Sequence, residues 1–152
     1  MSLSNSTSAL ELNDVFYDAI QRITPFAAYG EGVAVWQKIG RDTKPVPNTR
    51  LFQLYWGKTT QPVDIRLRNQ KEVATDLIVK TNYNLPETAS PTAIVVQDAH
   101  QLEDILQNQR EVVGGLVRVD YIGSDYLGED KSTFQVEHAF TVRYKVRADN
   151  SI

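Results

Sequence analysis

The stretch that decides the fold is TFQVEHAFTVRYKVR, Thr133–Arg147. Every second position from Phe134 to Val146 is apolar, aromatic or His138, and the positions between them are mostly polar. Successive side chains of a β-strand point to opposite faces, so the pattern predicts one strand with a buried face and a wet face. Strands usually have about 5–6 residues, and one of this length indicates a substantial sheet and suggests a scaffold more than an enzyme.

An N-terminal amphipathic helix is predicted over residues 8–24. Ser8 followed by Glu11 fits a capping box, in which each side chain satisfies a free amide of the first turn. Apolar residues then recur at helical spacing, and Pro25 ends the helix because it lacks an N–H donor and crowds the previous turn. The polar residues 1–7 before it are predicted to be a flexible tail.

A second helix is predicted over residues 98–109. Asp98 is interpreted as its N-cap, and Gly114-Gly115 ends it. Ser90-Pro91 is an alternative start, because proline suits the first helical position. The sequence leaves open whether residues 92–97 are helix or strand.

The rest of the chain reads as strands joined by polar loops. Strands are predicted at 33–39, 50–58, 72–82 and 116–122, a short strand or connection at 64–68, and polar loops at 40–49 and 123–132. Short polar connections favour antiparallel neighbours. We therefore predict an α+β fold: a mainly antiparallel sheet with the N-terminal helix and the second helix on one face, forming a single domain over 8–147 with a C-terminal tail at 148–152.

Side chains suited to catalysis or metal binding are few. The 152-residue chain has no cysteine and two histidines, which removes disulfides, thiol catalysis and thiolate metal sites. His100 with Asp98 is better explained as an exposed helix residue beside a cap, and His138 as a hydrogen-bonded core or interface residue. Ser124 reads as a turn serine with no histidine to activate it. We predict no catalytic residues, no metal and no cofactor, and so no enzyme.

Charge is unevenly spread along the chain. The net charge of −3 argues against a dedicated nucleic-acid binder, and no apolar stretch approaches the ~20 residues of a membrane helix. Residues 1–32 carry −3, residues 33–80 carry +5 and residues 81–152 carry −5. If the division survives folding, unlike patches can orient self-association; the alternative is that folding mixes the signs.

The order of elements resembles that of the tail terminator (tail completion) proteins of long-tailed bacteriophages, the lambda type in particular. The matching features are the helix 8–24, the proline-bearing loop 40–49, the helix 98–109, the run 117–121 and the closing strand 134–146. The resemblance implies a hexameric ring that caps the tail tube, ends its polymerisation and offers a surface for head joining. It also implies the tail tube protein and a head–tail connector or neck protein as partners. It places the chain at the head-proximal end of the tail in the virion, after assembly in the host cytoplasm.

A ring needs one surface patch to meet a different patch on the next subunit. We expect this interface in the two polar loops and on the closing strand, whose basic end we interpret as a charged sheet edge. The candidate residues are Arg41, Asp42, Lys44, Asp125, Tyr126, Glu129, Asp130, Arg143 and Lys145. The alternatives are another tail or neck subunit, such as a tube or head-completion protein, and a small-molecule-binding α+β domain with a deep apolar pocket.

Overall fold

The computed structural model describes residues 6–23, 35–39, 49–61, 66–67, 70–84, 91–129 and 133–147. The elements are α1 (Ala9–Gln21), β1 (Val35–Lys38), β2 (Thr49–Thr60), β3 (Arg66–Leu67), β4 (Gln70–Asn84), α2 (Pro91–Asn108), β5 (Leu116–Glu129) and β6 (Thr133–Arg147). One turn of 3-10 helix, Gln109–Glu111, follows α2. The predicted tail at 148–152, residues 1–5 of the other tail and residues 40–48 of the predicted loop lie outside the described residues.

The strands form one sheet in the order β1-β2-β4-β6-β5, and the short β3 pairs with β4. Every pairing is antiparallel except that of β1 with β2. β4 and β6 are the longest strands and pair along their whole length, from Gln70 opposite Arg147 to Asn84 opposite Thr133. The predicted α+β fold with a mainly antiparallel sheet is therefore confirmed.

The apolar parity of β6 faces both helices. Phe134, Val136, Phe140, Val142 and Tyr144 are buried, as the alternation predicted. Phe140, Val142 and Tyr144 pack with residues of α1 and α2 in the main hydrophobic core. Phe134 and Val136 belong to a smaller cluster, which also includes residues of α2. The opposite face of the sheet has no described helix over it, and we call it the open face.

The N-terminal helix begins as the capping box predicted. The Ser8 hydroxyl accepts a hydrogen bond from the Glu11 N–H at 3.1 Å, which satisfies one free amide of the first turn. The Glu11 carboxylate accepts from the Thr7 hydroxyl instead of closing the reciprocal half of the box. Phe16 is fully buried and stacks on Trp56 of β2, which fixes α1 against the sheet.

Two residues assigned to the flexible tail are docked. The Thr7 N–H donates to the Lys145 carbonyl at 2.8 Å, and the Lys145 N–H donates to the Gly115 carbonyl at 2.7 Å. Gly115 has a φ of +96°, and a Cβ there would lie 2.7 Å from the Ser6 carbonyl carbon. Only glycine fits this crossing, because the conformation and the space both exclude a side chain.

The second helix is longer than its predicted span. It starts at Pro91 and continues to Asn108, so residues 92–97 are helical and Asp98 lies in its middle. The interpretation of Asp98 as an N-cap is wrong: its side chain is buried in an ion pair with a strand. The proline signal at the first helical position was the correct start.

The predicted loop at 123–132 is wrong for its first seven residues. β5 continues to Glu129 with three register shifts, and pairing with β6 outweighs the turn-forming residues Gly123 and Asp125. β6 therefore lies inside the sheet, between β4 and β5. Its basic end is not a sheet edge; Arg143 and Lys145 project from the open face.

Candidate functional site

A buried ion pair joins the start of β2 to the middle of α2. Arg50 Nε and Nη2 donate to the two carboxylate oxygens of Asp98 at 2.6 and 3.2 Å, and both side chains are almost fully buried. The guanidinium also lies over the rings of Trp36 and Tyr83, at 5.5 and 5.8 Å from their centroids. Two-point geometry and aromatic faces compensate part of the cost of burying both charges.

Hydrogen bonds continue from this ion pair across three strands. The Tyr83 hydroxyl on β4 bonds Asp98, and it lies 2.8 Å from His138 Nε2 on β6. His138 Nδ1 lies 2.8 Å from the Ser124 hydroxyl on β5, which is 2.6 Å from the Tyr121 hydroxyl. We call this series, which runs from Arg50 to Tyr121, the buried chain.

The donors of the buried chain can be assigned from Asp98. A carboxylate that pairs with arginine only accepts, so the Tyr83 hydroxyl donates to Asp98 and accepts from His138 Nε2–H. The neutral imidazole then has a free lone pair on Nδ1, to which the Ser124 hydroxyl donates. Tyr121 donates in turn to Ser124. Every donor therefore points toward Asp98.

The electrostatics of the chain keep His138 neutral. Burial, and then the nearby Arg50 charge, lower the pKa of His138 from 6.5 to about 3. Burial, and then the Asp98 charge, raise the pKa of Tyr83 well above 10. Ser124 and His138 have the spacing of a nucleophile and its base, which the sequence interpretation missed. An imidazole of such low basicity is a poor proton acceptor, so the geometry suits a structural bridge better than an activated serine.

Helix side chains cap backbone amides along both outer edges of the sheet. At the β2 edge the Leu54 N–H donates to the Tyr17 hydroxyl of α1 at 2.9 Å. At the β5 edge the Val119 N–H donates to Gln107 at 2.6 Å and the Tyr121 N–H to Glu103 at 2.7 Å. Because an uncovered edge is a template for further strands, this capping closes part of each edge.

Each edge strand continues beyond its capped amides. In the described part of the chain β5 pairs only with β6, and β1 pairs with β2 only as far as Phe52. We call the parts that extend beyond the amides bonded by Tyr17, Gln107 and Glu103 the β5 open segment, Ile122–Leu127, and the β2 open segment, Trp56–Thr60. Most side chains of both segments are exposed, including Ile122 at 65% and Leu127 at 39%.

The open face carries an apolar row among charged side chains. Tyr55, Ile78 and Ala139 lie opposite one another in the register of β2, β4 and β6. Tyr55 is 49% exposed, and the Lys80 ammonium lies 5.9 Å from its ring centroid. Ile78 and Ala139 are half-buried, so Tyr55 is the exposed member of this row.

The predicted interface residues divide into four groups. Asp125 and Tyr126 are exposed on the β5 open segment, whereas Arg143 and Lys145 lie on β6, with Arg143 3.9 Å from the Glu72 carboxylate. Glu129 is the last residue of β5. Arg41, Asp42, Lys44 and Asp130 lie outside the described residues. Asp125 and Tyr126 are neighbours on β5 that face opposite sides of the sheet, whereas Arg143 and Lys145 share the open face, so the four do not form one patch.

Other kinds of site have little support in the described residues. Within them no group of three His, Asp or Glu side chains could hold a metal ion, and no helix is long and apolar enough to span a membrane. A cavity of about 360 Å³ is lined by Thr92, Ala93, Val96 and Gln97, all on the first turns of α2. These are its lining residues within the described part of the chain, and the cavity opens widely to the surface.

Comparisons with protein-family models and with curated proteins assign this chain to no family. No family model matches the chain, and no curated protein matches it significantly.

Proposed function

We propose that this protein is a structural assembly subunit that forms a homo-oligomeric ring, of the kind that caps a phage tail tube. In this role it ends tube polymerisation and provides the surface for head joining, with the tail tube protein and a connector or neck protein as partners. Its site of action is then the head-proximal end of the tail in the virion, and a hexamer is the expected ring.

The observation that carries the proposal is the asymmetry of the sheet. Both helices cover one face, whereas the open face displays Tyr55 to solvent and the β5 open segment displays Ile122 and Leu127. A monomer that exposes apolar groups on one face and along one sheet edge is suited to contact neighbours there. The buried chain supports a scaffold role, since its neutral histidine and paired charges fix the strands instead of presenting a reactive group.

The mass of the particle in solution is the first test. Multi-angle light scattering at high concentration, alone and with the tail tube protein, should show a ring of several copies, and negative-stain images should show its shape. A protein that stays monomeric under both conditions contradicts the proposal. Adding it to growing tubes separates capping from co-polymerisation, which would indicate the alternative of a tube subunit.

Basic residues of the open face provide a second test. Replacing Arg143 and Lys145 together with glutamate should leave the monomer folded, because both side chains reach solvent, and should weaken assembly. Arg110→Glu, at an exposed position on the 3-10 turn, is the control and should assemble normally. Parent-like assembly of the doubly reversed protein would mean that this end of β6 makes no contact.

A further inference from the structure

Within the described residues, helix side chains cap only part of each sheet edge. On β5, α2 reaches the amides of Val119 and Tyr121, and the strand then continues for several residues. On β2, α1 reaches the amide of Leu54, and the strand continues to Thr60. The β5 and β2 open segments lie at diagonally opposite corners of one sheet.

Backbone polarity makes both segments suited to accept a strand. Along an antiparallel ladder the N–H groups alternate between the partner strand and the outer side. Continuing the alternation from Tyr121 through the register shift before Gly123 directs the Ser124 N–H outward. The same reasoning from Leu54, through the register shift after Trp56, directs the Trp56 and Thr59 N–H groups outward.

The charges of the two segments are opposite. The β5 open segment carries the exposed Asp125, and Glu129 and Asp130 follow it in the sequence. The β2 open segment carries the exposed Lys58. Two acidic edges would repel each other, so this distribution favours pairing of unlike edges over pairing of like ones.

We propose that the β5 open segment of one copy pairs, as an antiparallel strand, with the β2 open segment of a second copy. β5 runs antiparallel to β2 within one sheet, and a neighbour related by rotation about an axis along the strands keeps that direction. The contact is heterologous, so each copy offers one segment and receives the other, and repetition gives a ring when the rotation between copies closes on itself. The inference rests on the proposed ring and names its interface.

The diagonal placement of the segments agrees with ring closure. Ser124 is level with Leu54 through the paired His138 and Val79. The register shift between Trp56 and Thr59 places Lys58, the centre of the β2 open segment, near the level of Asp76, three ladder positions from Val79. That offset is about 10 Å over the roughly 19 Å of a four-strand repeat, which gives a strand tilt of about 28°; the strands of closed sheets are tilted in the same way, typically by about 35–45°.

Amide hydrogen exchange on the purified protein tests the pairing directly. Diluted monomer and concentrated oligomer are compared, and the amides of both open segments should exchange at least about tenfold more slowly in the oligomer. An oligomer in which both segments exchange as fast as in the monomer overturns the pairing and leaves the ring proposal intact. Protection that appears only when tail tube protein is added assigns the edge to that partner and overturns pairing between copies. A monomer under all conditions overturns both proposals.

Matched variants give an independent test. Ile122→Lys should weaken self-association about tenfold, whereas Val112→Lys, at a similarly exposed position of 61% after the 3-10 turn, should not. Asp125→Lys and Lys58→Asp should each weaken it, and the combined protein should return to within about threefold of the parent. If the loss of self-association in the double variant equals the sum of the losses in the two single variants, the pairing is overturned. Circular dichroism of each monomer checks that the fold is unchanged.

Discussion

Acidification should destabilise this protein through His138 before its carboxylates are protonated. In the unfolded chain the histidine has its ordinary pKa of 6.5, and in the folded protein the pKa is about 3. Between these values the unfolded state binds a proton that the folded state does not, so the free energy of unfolding falls as the pH falls. The contribution of the neutral His138 to the free energy of unfolding is fully present above pH 6.5 and is lost progressively as the pH falls toward 3.

The expected magnitude follows from the two pKa values. At about pH 5.5, one unit below the unfolded pKa, a single such histidine lowers the free energy of unfolding by about 1.4 kcal/mol relative to about pH 8. Urea unfolding followed by tryptophan fluorescence at these two pH values measures the difference. His138→Gln should remove most of this pH dependence, and His100→Gln, at an exposed position on α2, should retain it.

Nuclear magnetic resonance provides a readout that does not depend on a variant folding. The imidazole nitrogen shifts of His138 should stay constant from about pH 8 to about pH 5 and report the Nε2–H tautomer. Titration of His138 near pH 6.5, or a proton on Nδ1 in its neutral form, would refute the assignment of the buried chain. An unchanged pH dependence in His138→Gln would do the same.

Three further substitutions test the packing, each by urea unfolding. Asp98→Asn should cost about 3 kcal/mol, because it leaves a buried guanidinium without its counter-charge, whereas Asp18→Asn in an exposed pair should cost less than about 1 kcal/mol. Gly115→Ala should destabilise by about 2 kcal/mol, whereas Gly123→Ala should be neutral or stabilising by about 0.5 kcal/mol, since a Cβ meets nothing there. Ser8→Ala should cost about 1 kcal/mol through loss of the helix cap, and an unchanged midpoint would contradict that role.

Local sequence patterns correctly predicted the elements that depend on interactions between nearby residues. The alternation of Thr133–Arg147 predicted the whole of β6 and its buried parity, and Ser8 with Glu11 predicted the start of α1. These signals lie within a few residues of the structure that they predict, because side-chain parity and helix caps are local properties. The fold class followed from their order.

Long-range pairing decided the features that the sequence interpretation missed. Asp98 looks like a cap only until Arg50, 48 residues away, is placed beside it. Ser124 looks like a turn residue because Gly123 and Asp125 flank it, yet pairing with β6 keeps it in a strand and 2.8 Å from His138. Nothing near these residues indicates their partners, since only the register of the sheet brings them together. The candidate interface residues stay a prediction; of these, Asp125 and Tyr126 are exposed on β5.

The pairing of β4 with β6 also constrains how this molecule can be made on a ribosome. β4 is the middle strand, and its only described neighbour on one side is the strand that ends at Arg147. During synthesis the backbone edge of β4 that pairs with β6 stays without its partner until residues 133–147 have left the exit tunnel, at about 5–20 residues per second. Distant pairings of this kind slow folding and favour a single late cooperative step. A nascent chain released before residue 133 should therefore depend on chaperones for its solubility.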